Sequence, residues 1–183
     1  MDIADADRLL DPDPLPLETG VQRLASGVLL VAARTDMRDC RGEMVEWWFR
    51  FAPDSQQYAW WHPGDHVSSS WHDTSPGTHV GSTHDAEEKL GSDSPVLRIQ
   101  VAFQDPLLTF SPDALEAARA AGNVSGLVCA HLGIGDDPPR DEAGRPLNGR
   151  MVHLARDTPY GCVLRSRFWL GEGTGRDSRF SAM

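Results

Sequence analysis

Hydrophobic positions change their spacing several times along the chain, and each change predicts an element. The run Gly27 to Arg34 (GVLLVAAR) is short and apolar with β-branched members, which predicts a strand buried on both faces. In Glu43 to Phe51 (EMVEWWFRF), Met44, Trp47, Trp48 and Phe51 recur at offsets of three, four and seven, a helical stripe expected to pack on a sheet. From Val96 to Phe103 (VLRIQVAF) the period falls to two, with Leu97, Ile99, Val101 and Phe103 on one face and Arg98 and Gln100 on the other. Next, Ser111 offers an N-cap oxygen, Pro112 takes the first helical position, and DALEAARAA runs to Gly122, which predicts a helix. Two apolar runs, Ser125 to Ile134 and Arg150 to Arg156, flank the loop-forming stretch GDDPPRDEAGRPLNG. After TPYG, Val163 to Leu170 alternates again, so the domain is expected to end as a hairpin.

Strands therefore outnumber helices and are joined by turns. That favours an α+β domain with a curved antiparallel sheet around a cavity over a parallel doubly wound fold. The Pro- and Asp-rich opening predicts an extended, solvated N-terminal arm over residues 1–19, followed by a single domain over residues 20–183.

Composition narrows the functional classes. The 183 residues, 40% hydrophobic, suit one core. Lys and Arg number 17 against 27 Asp and Glu, a formal net charge of −10, and a surface so acidic excludes a phosphate-backbone partner. No apolar run reaches a membrane span and the acidic start lacks the features of a signal peptide, so a cytoplasmic protein with no membrane partner is expected. Cys40, Cys129 and Cys162 show no CxxC spacing and are read as idle thiols.

Histidine changes the picture most. Five of the seven lie in the run WHPGDHVSSSWHDTSPGTHVGSTHDAEE, and His153 stands four residues before Asp157. Imidazole and carboxylate together make a donor set suited to zinc or another late first-row dication. His62, beside Pro63, reads as packing or capping its turn, His72, His79 and His84 read as loop or turn groups or as partners that support a ligand, and Glu87 and Glu88 should point to opposite sides of any strand. Trp47 and Trp48 read as core, whereas Trp60, Trp61 and Trp71 are placed to line an aromatic-accepting pocket. Arg165 and Arg167 share a strand face, where they could bind an anion or make structural ion pairs.

The strings EMVEWWFRF, YAWWHPGDH, THDAEEKLG and GRMVHLARDTPYGCVLRSRFWLG, in this order over roughly residues 20 to 171, resemble the diacetylphloroglucinol hydrolase family, which includes phloretin hydrolase. The resemblance implies a helix-grip fold, similar to Bet v 1 and START domains, in which a curved sheet wraps a helix around a ligand cavity. It also implies a zinc-dependent hydrolase that cleaves the carbon–carbon bond between an acyl group and a polyhydroxylated aromatic ring. Carried over by position, the Zn2+ ligands fall on His66, Glu88, His153 and Asp157, the last standing where the family has Glu. Tyr58 becomes a substrate-orienting hydroxyl and Ser69 stands where the family has an asparagine in polar contact with substrate. From the residues themselves, Trp61 is placed to line the pocket, and Tyr58, His131 or a metal-bound water is the candidate to deliver a proton. The expected reaction protonates the ring, attacks the ketone with metal-bound hydroxide and releases a carboxylic acid. The alternative from the residues is a helix-grip module that binds an apolar aromatic small molecule without a working metal. Exposed edge strands leave room for a homodimer.

Overall fold

The computed structural model describes residues 1–91 and 93–171, so the last twelve residues of the expected domain lie outside the described residues. Among the described residues the chain runs from β1 (Gly20–Arg23) and β2 (Leu29–Arg38) through helices α1 (Gly42–Phe51) and α2 (Ser55–Trp61) to β3 (His66–His72), β4 (Thr83–Lys89) and β5 (Val96–Gln104). It continues through α3 (Pro112–Ala120) to β6 (Gly126–Ile134), β7 (Gly149–Thr158) and β8 (Gly161–Leu170). These strands form one antiparallel sheet of eight, in the order β1-β2-β8-β7-β6-β5-β4-β3. The fold is α+β, as the spacing predicts. No described helix is long and apolar enough to cross a membrane.

Strand alternation sorts the side chains onto two faces, and each face is covered by different elements. On the first, α1 lies across β6 and β7. Phe49 packs against a cluster that includes Val101, Phe103, Val128, Ala130 and Met151, and Val45 packs on Ala155 and Leu164. The helix starts hard against the sheet: a Cβ on Gly42 or on Gly126 would collide with the backbone of the opposing segment, so both positions require glycine.

On the second face, Leu127, Cys129, Val152, Leu154 and Trp169 meet α3 and the N-terminal segment. Here the structure corrects the sequence expectation. Residues Ile3–Leu10 form 3₁₀ turns joined by a kink at Asp5, not an extended solvated arm, and Ala6, Leu9 and Leu10 are buried. Ile3, Ala6 and Leu9 recur every three residues; Ala6 and Leu9 join the core of this face and Ile3 packs against it. Arg165 and Arg167 settle as structural groups on this face. They donate to the carbonyls of Asp11, Asp13 and Leu17 and pair with Glu18, clamping residues 11–18 onto β8.

Two further expectations change. Strand β2 is not buried on both faces: Leu30 and Ala32 are buried, and Leu29, Val31 and Ala33, which alternate with them, only partly so. Helix α1 forms where expected, but it turns Val45 and Phe49 to the sheet and leaves Met44, Trp47 and Phe51 facing outward.

Candidate active site

The short helix α2 owes its position to a capping box, in which Asp54 accepts from the Gln57 amide and the Gln57 side chain accepts from the Asp54 amide. This fixes Tyr58, 6% exposed, over the start of β3. Its ring lies flat on the His66 imidazole, with centroids 3.8 Å apart and planes 5° from parallel. Its hydroxyl donates to Glu88 Oε1. Its carbonyl, 3.0 Å from His66 Nδ1, accepts the proton on that nitrogen. Because a carbonyl can only accept, this bond fixes the tautomer: Nδ1 carries the hydrogen and Nε2 presents a lone pair. His66 and Glu88 are themselves cross-strand partners on β3 and β4, beside a register shift between His66 and Ser68. One aromatic side chain therefore orients both an imidazole and a carboxylate.

Burial, and then the Glu88 charge, push the Tyr58 phenol well above its ordinary range. Tyr58 is therefore a hydrogen-bond donor that stays protonated, not a group that ionises. His84 packs edge-on against it, 5.0 Å away, and burial pushes His84 down to about 4.

An aromatic wall stands beside this group. Trp61 meets Trp48 and Phe49 at 5.4 and 6.4 Å, and Phe49 continues to Phe103, His79 and His153. His153 stacks 5.7 Å from Phe49, bonds Ser166 Oγ through Nδ1 at 2.7 Å, and is pushed down to about 4 by burial alone. Tyr58, Glu88 and His153 thus share the α1 face with neutral or aromatic surroundings suited to an aromatic substrate.

The sequence model of the family described as DAPG hydrolase PhiG domain matches residues 1–182. The chain belongs to the DAPG hydrolase family. Two relatives named 2,4-diacetylphloroglucinol hydrolase, from Pseudomonas sp. and Pseudomonas protegens, are each 31% identical over 186 residues, or 92% of this chain. Those matches cover 57% and 55% of the relatives, so the chain spans a little over half the length of the curated relatives it matches. Among solved structures, the Mycobacterium smegmatis protein Ms6760 is similar at a TM-score of 0.42 and 12% identity over 85% of this chain and 80% of that one. A solution structure from Arthrobacter aurescens reaches 0.37 and 14% identity over 85% of this chain and 75% of that one. Similarity that low carries no functional inference.

The residues carried over from the DAPG hydrolase family do not all meet. His66, Glu88, His153 and Asp157 lie on the α1 face, but no three His, Cys, Asp or Glu side chains among the described residues are grouped as a metal site. The register explains why. Glu88 pairs with Leu97 at one end of β5, whereas His153 pairs with Val128, one residue past the Gln104–Cys129 pair at the other end. At about 3.3 Å per residue, that leaves ~20 Å or more along the strand.

Asp157 is committed elsewhere. Its Oδ1 accepts from the Gly42 amide and the Ser125 hydroxyl, each at 2.8 Å, and so caps the N-terminus of α1. It supplies the cap that Arg41, the residue at the N-cap position, does not make through its own side chain.

Ser69 is also spent internally. Its hydroxyl donates to the Pro53 carbonyl at 2.7 Å and accepts from His84 Nε2 and Trp71 Nε1, tying the α1–α2 junction to β3. His131, 7% exposed, points to the opposite face between Ala102 and Arg150, so it cannot act beside Tyr58. A groove of about 340 Å³ also opens on that face, lined by Asp85, Glu87, Arg98 and Arg140 among others, and its charged lining does not suit an apolar ketone.

The sequence left His79 and His84 open between loop groups and supporting partners, and the structure makes them packed side chains beside Phe49 and Tyr58. Both are buried on the α1 face, and neither ring nitrogen of His79 has a hydrogen-bond partner among the described residues. The signal available was their position in the histidine run, which gives no face.

Proposed function

We propose that this chain hydrolyses the carbon–carbon bond between an acyl group and a polyhydroxylated aromatic ring, with an acylphloroglucinol-like aryl ketone as substrate. The observation that carries the reading is the Tyr58–His66–Glu88 group, in a chain whose relatives named 2,4-diacetylphloroglucinol hydrolase align over 92% of its length. In the overall reaction, water adds oxygen to the carbonyl carbon, the aryl–acyl bond breaks, and the ring carbon takes a proton. The products are a carboxylic acid and the deacylated phenol.

Each side chain has a role in this reading. Trp61 with Phe49 offers flat apolar surface to the ring. Tyr58 holds Glu88 and the imidazole plane of His66, which makes it a positioning residue and a hydrogen-bond donor, not a full proton donor.

Zinc belongs to the proposal as well. The lone pair of His66 Nε2 and the second oxygen of Glu88 are chemically suited to it, whereas His153, the further donor implied by the family resemblance, stands ~20 Å or more along the strand from Glu88 and is not part of that pair. Bound there, zinc would polarise a ketone oxygen and activate water. Asp157 has no part in that set. Incubation of the chain and zinc with an acylphloroglucinol in deuterated water tests the reaction: one equivalent of carboxylic acid and deuterium on the former acyl-bearing ring carbon are expected. Binding of the ketone without either product would instead favour a ligand-binding module.

A further inference from the structure

His79 is 6% exposed, and neither of its ring nitrogens has a hydrogen-bond partner among the described residues. It stands in the connection between β3 and β4, where the backbone is held. The Ser82 amide and hydroxyl donate to the His79 carbonyl at 3.1 and 2.5 Å, and Gly81 and Ser82 bond the backbone of Phe103 at the end of β5. With its backbone pinned, the imidazole stays inside and carries the desolvation cost of a polar group left unpaired.

Its surroundings are rings. Phe103 meets it edge-on at 5.5 Å, and Phe49 lies 6.3 Å away. Phe103 stacks on Trp71, with planes 5° from parallel, and Trp71 stacks on His84, which packs against Tyr58. One aromatic surface thus runs from the Tyr58 group to His79. Such a wall offers a water too few polar partners to hold it. A phenol suits it better, because its ring lies on apolar surface while its hydroxyl both donates and accepts. Burial holds the His79 imidazole below its ordinary range, so at neutral pH it carries one N–H and one lone pair, and a phenolic hydroxyl can meet either.

We infer that His79 is a substrate-binding residue that hydrogen-bonds a ring hydroxyl of the phenol, at the end of the aromatic surface remote from Tyr58, and so selects a polyhydroxylated ring. This rests on the acylphloroglucinol-like substrate proposed above and adds the residue that reads its ring. The unpaired imidazole is then a stability cost retained for binding, since a site built to bond a hydroxyl discriminates strongly for it.

Two measurements on the full chain test the assignment together: the urea midpoint, and the dissociation constant for phloroglucinol read by calorimetry. His79→Phe removes the polar atoms and keeps a ring, and His79→Leu does so with a smaller side chain. In these variants the midpoint should rise while phloroglucinol binding weakens at least about tenfold. His79→Asn, which keeps a donor and an acceptor, should recover part of the binding. Equal phloroglucinol binding by the wild type and both apolar variants would overturn the inference, as would a wild type that binds no phloroglucinol. A midpoint that falls in both apolar variants would also overturn it, by revealing an internal partner for the imidazole. The reaction is read separately. Carboxylic acid release from the ketone with binding indifferent to His79 would keep the proposed function and remove His79 from it, whereas His79-dependent binding without release would keep His79 and contradict the reaction.

Discussion

The Tyr58 hydroxyl donates to Glu88 Oε1, thirty residues further along the chain, and this bond joins helix α2 to strand β4. Its consequence is orientation. The same Tyr58 ring stacks on His66, so the carboxylate and the imidazole are held by one residue.

Tyr58→Phe separates the two functions, because it keeps the stacked ring and removes the donor to Glu88. A hydrogen bond to a charged group contributes about 1.5–3 kcal/mol. Turnover of the ketone should fall roughly tenfold to a hundredfold, with the loss in kcat and the fold intact by circular dichroism. Unchanged turnover would remove Tyr58 from the site.

Asp157 distinguishes a cap from a ligand. Asp157→Asn keeps an oxygen for the Gly42 amide, so turnover and zinc content should match wild type, whereas Asp157→Ala should destabilise the fold by about 0.5–2 kcal/mol. Loss of zinc from the Asn variant, measured by elemental analysis, would make Asp157 a ligand after all.

Stability should depend on pH through the buried histidines. Burial pushes both His84 and His153 down to about 4 from an ordinary 6.5. Below pH 6.5 the unfolded chain takes up protons that the folded chain refuses until about pH 4, so stability is full above 6.5 and falls as pH drops toward 4. Urea midpoints between pH 8 and 4.5 should follow that fall, and His84→Phe should flatten it. A midpoint independent of pH would contradict the burial of these rings.

His131 should be dispensable for chemistry. It projects from the face of β6 away from Tyr58, so His131→Ala should leave turnover within about twofold, a difference of under about 0.5 kcal/mol. A hundredfold loss would mean that the catalytic site lies on the other face.

Much of this architecture is legible in the residue pattern, because strand alternation depends on local side-chain order. Leu97 to Phe103 and Val163 to Leu170 alternate and form strands β5 and β8. Helix α1 shows the limit of periodicity. Its sequence holds two apolar stripes, and spacing cannot say whether Trp47 or Phe49 meets the sheet; the bulky stripe faces outward because Gly42 allows the other to approach β6 closely. The N-terminal segment was hidden by its prolines and aspartates, although the period-three recurrence of Ile3, Ala6 and Leu9 is present in the sequence.

The site was legible in its parts and not in their assembly. His66 and Glu88 meet because β3 and β4 pair in that register, and a shift of one position would turn either away. Asp157 enters as a metal ligand through the family resemblance, and its spacing from His153 shows a carboxylate near a histidine but not the helix end above it.

Turnover of an acylphloroglucinol by wild type and by His66→Ala, at equal folded concentration with zinc present, tests the central claim most directly. The account predicts carboxylic acid release by the wild type and its loss in the variant. Equal release by both, or none by a wild type that binds both zinc and the ketone, would contradict it.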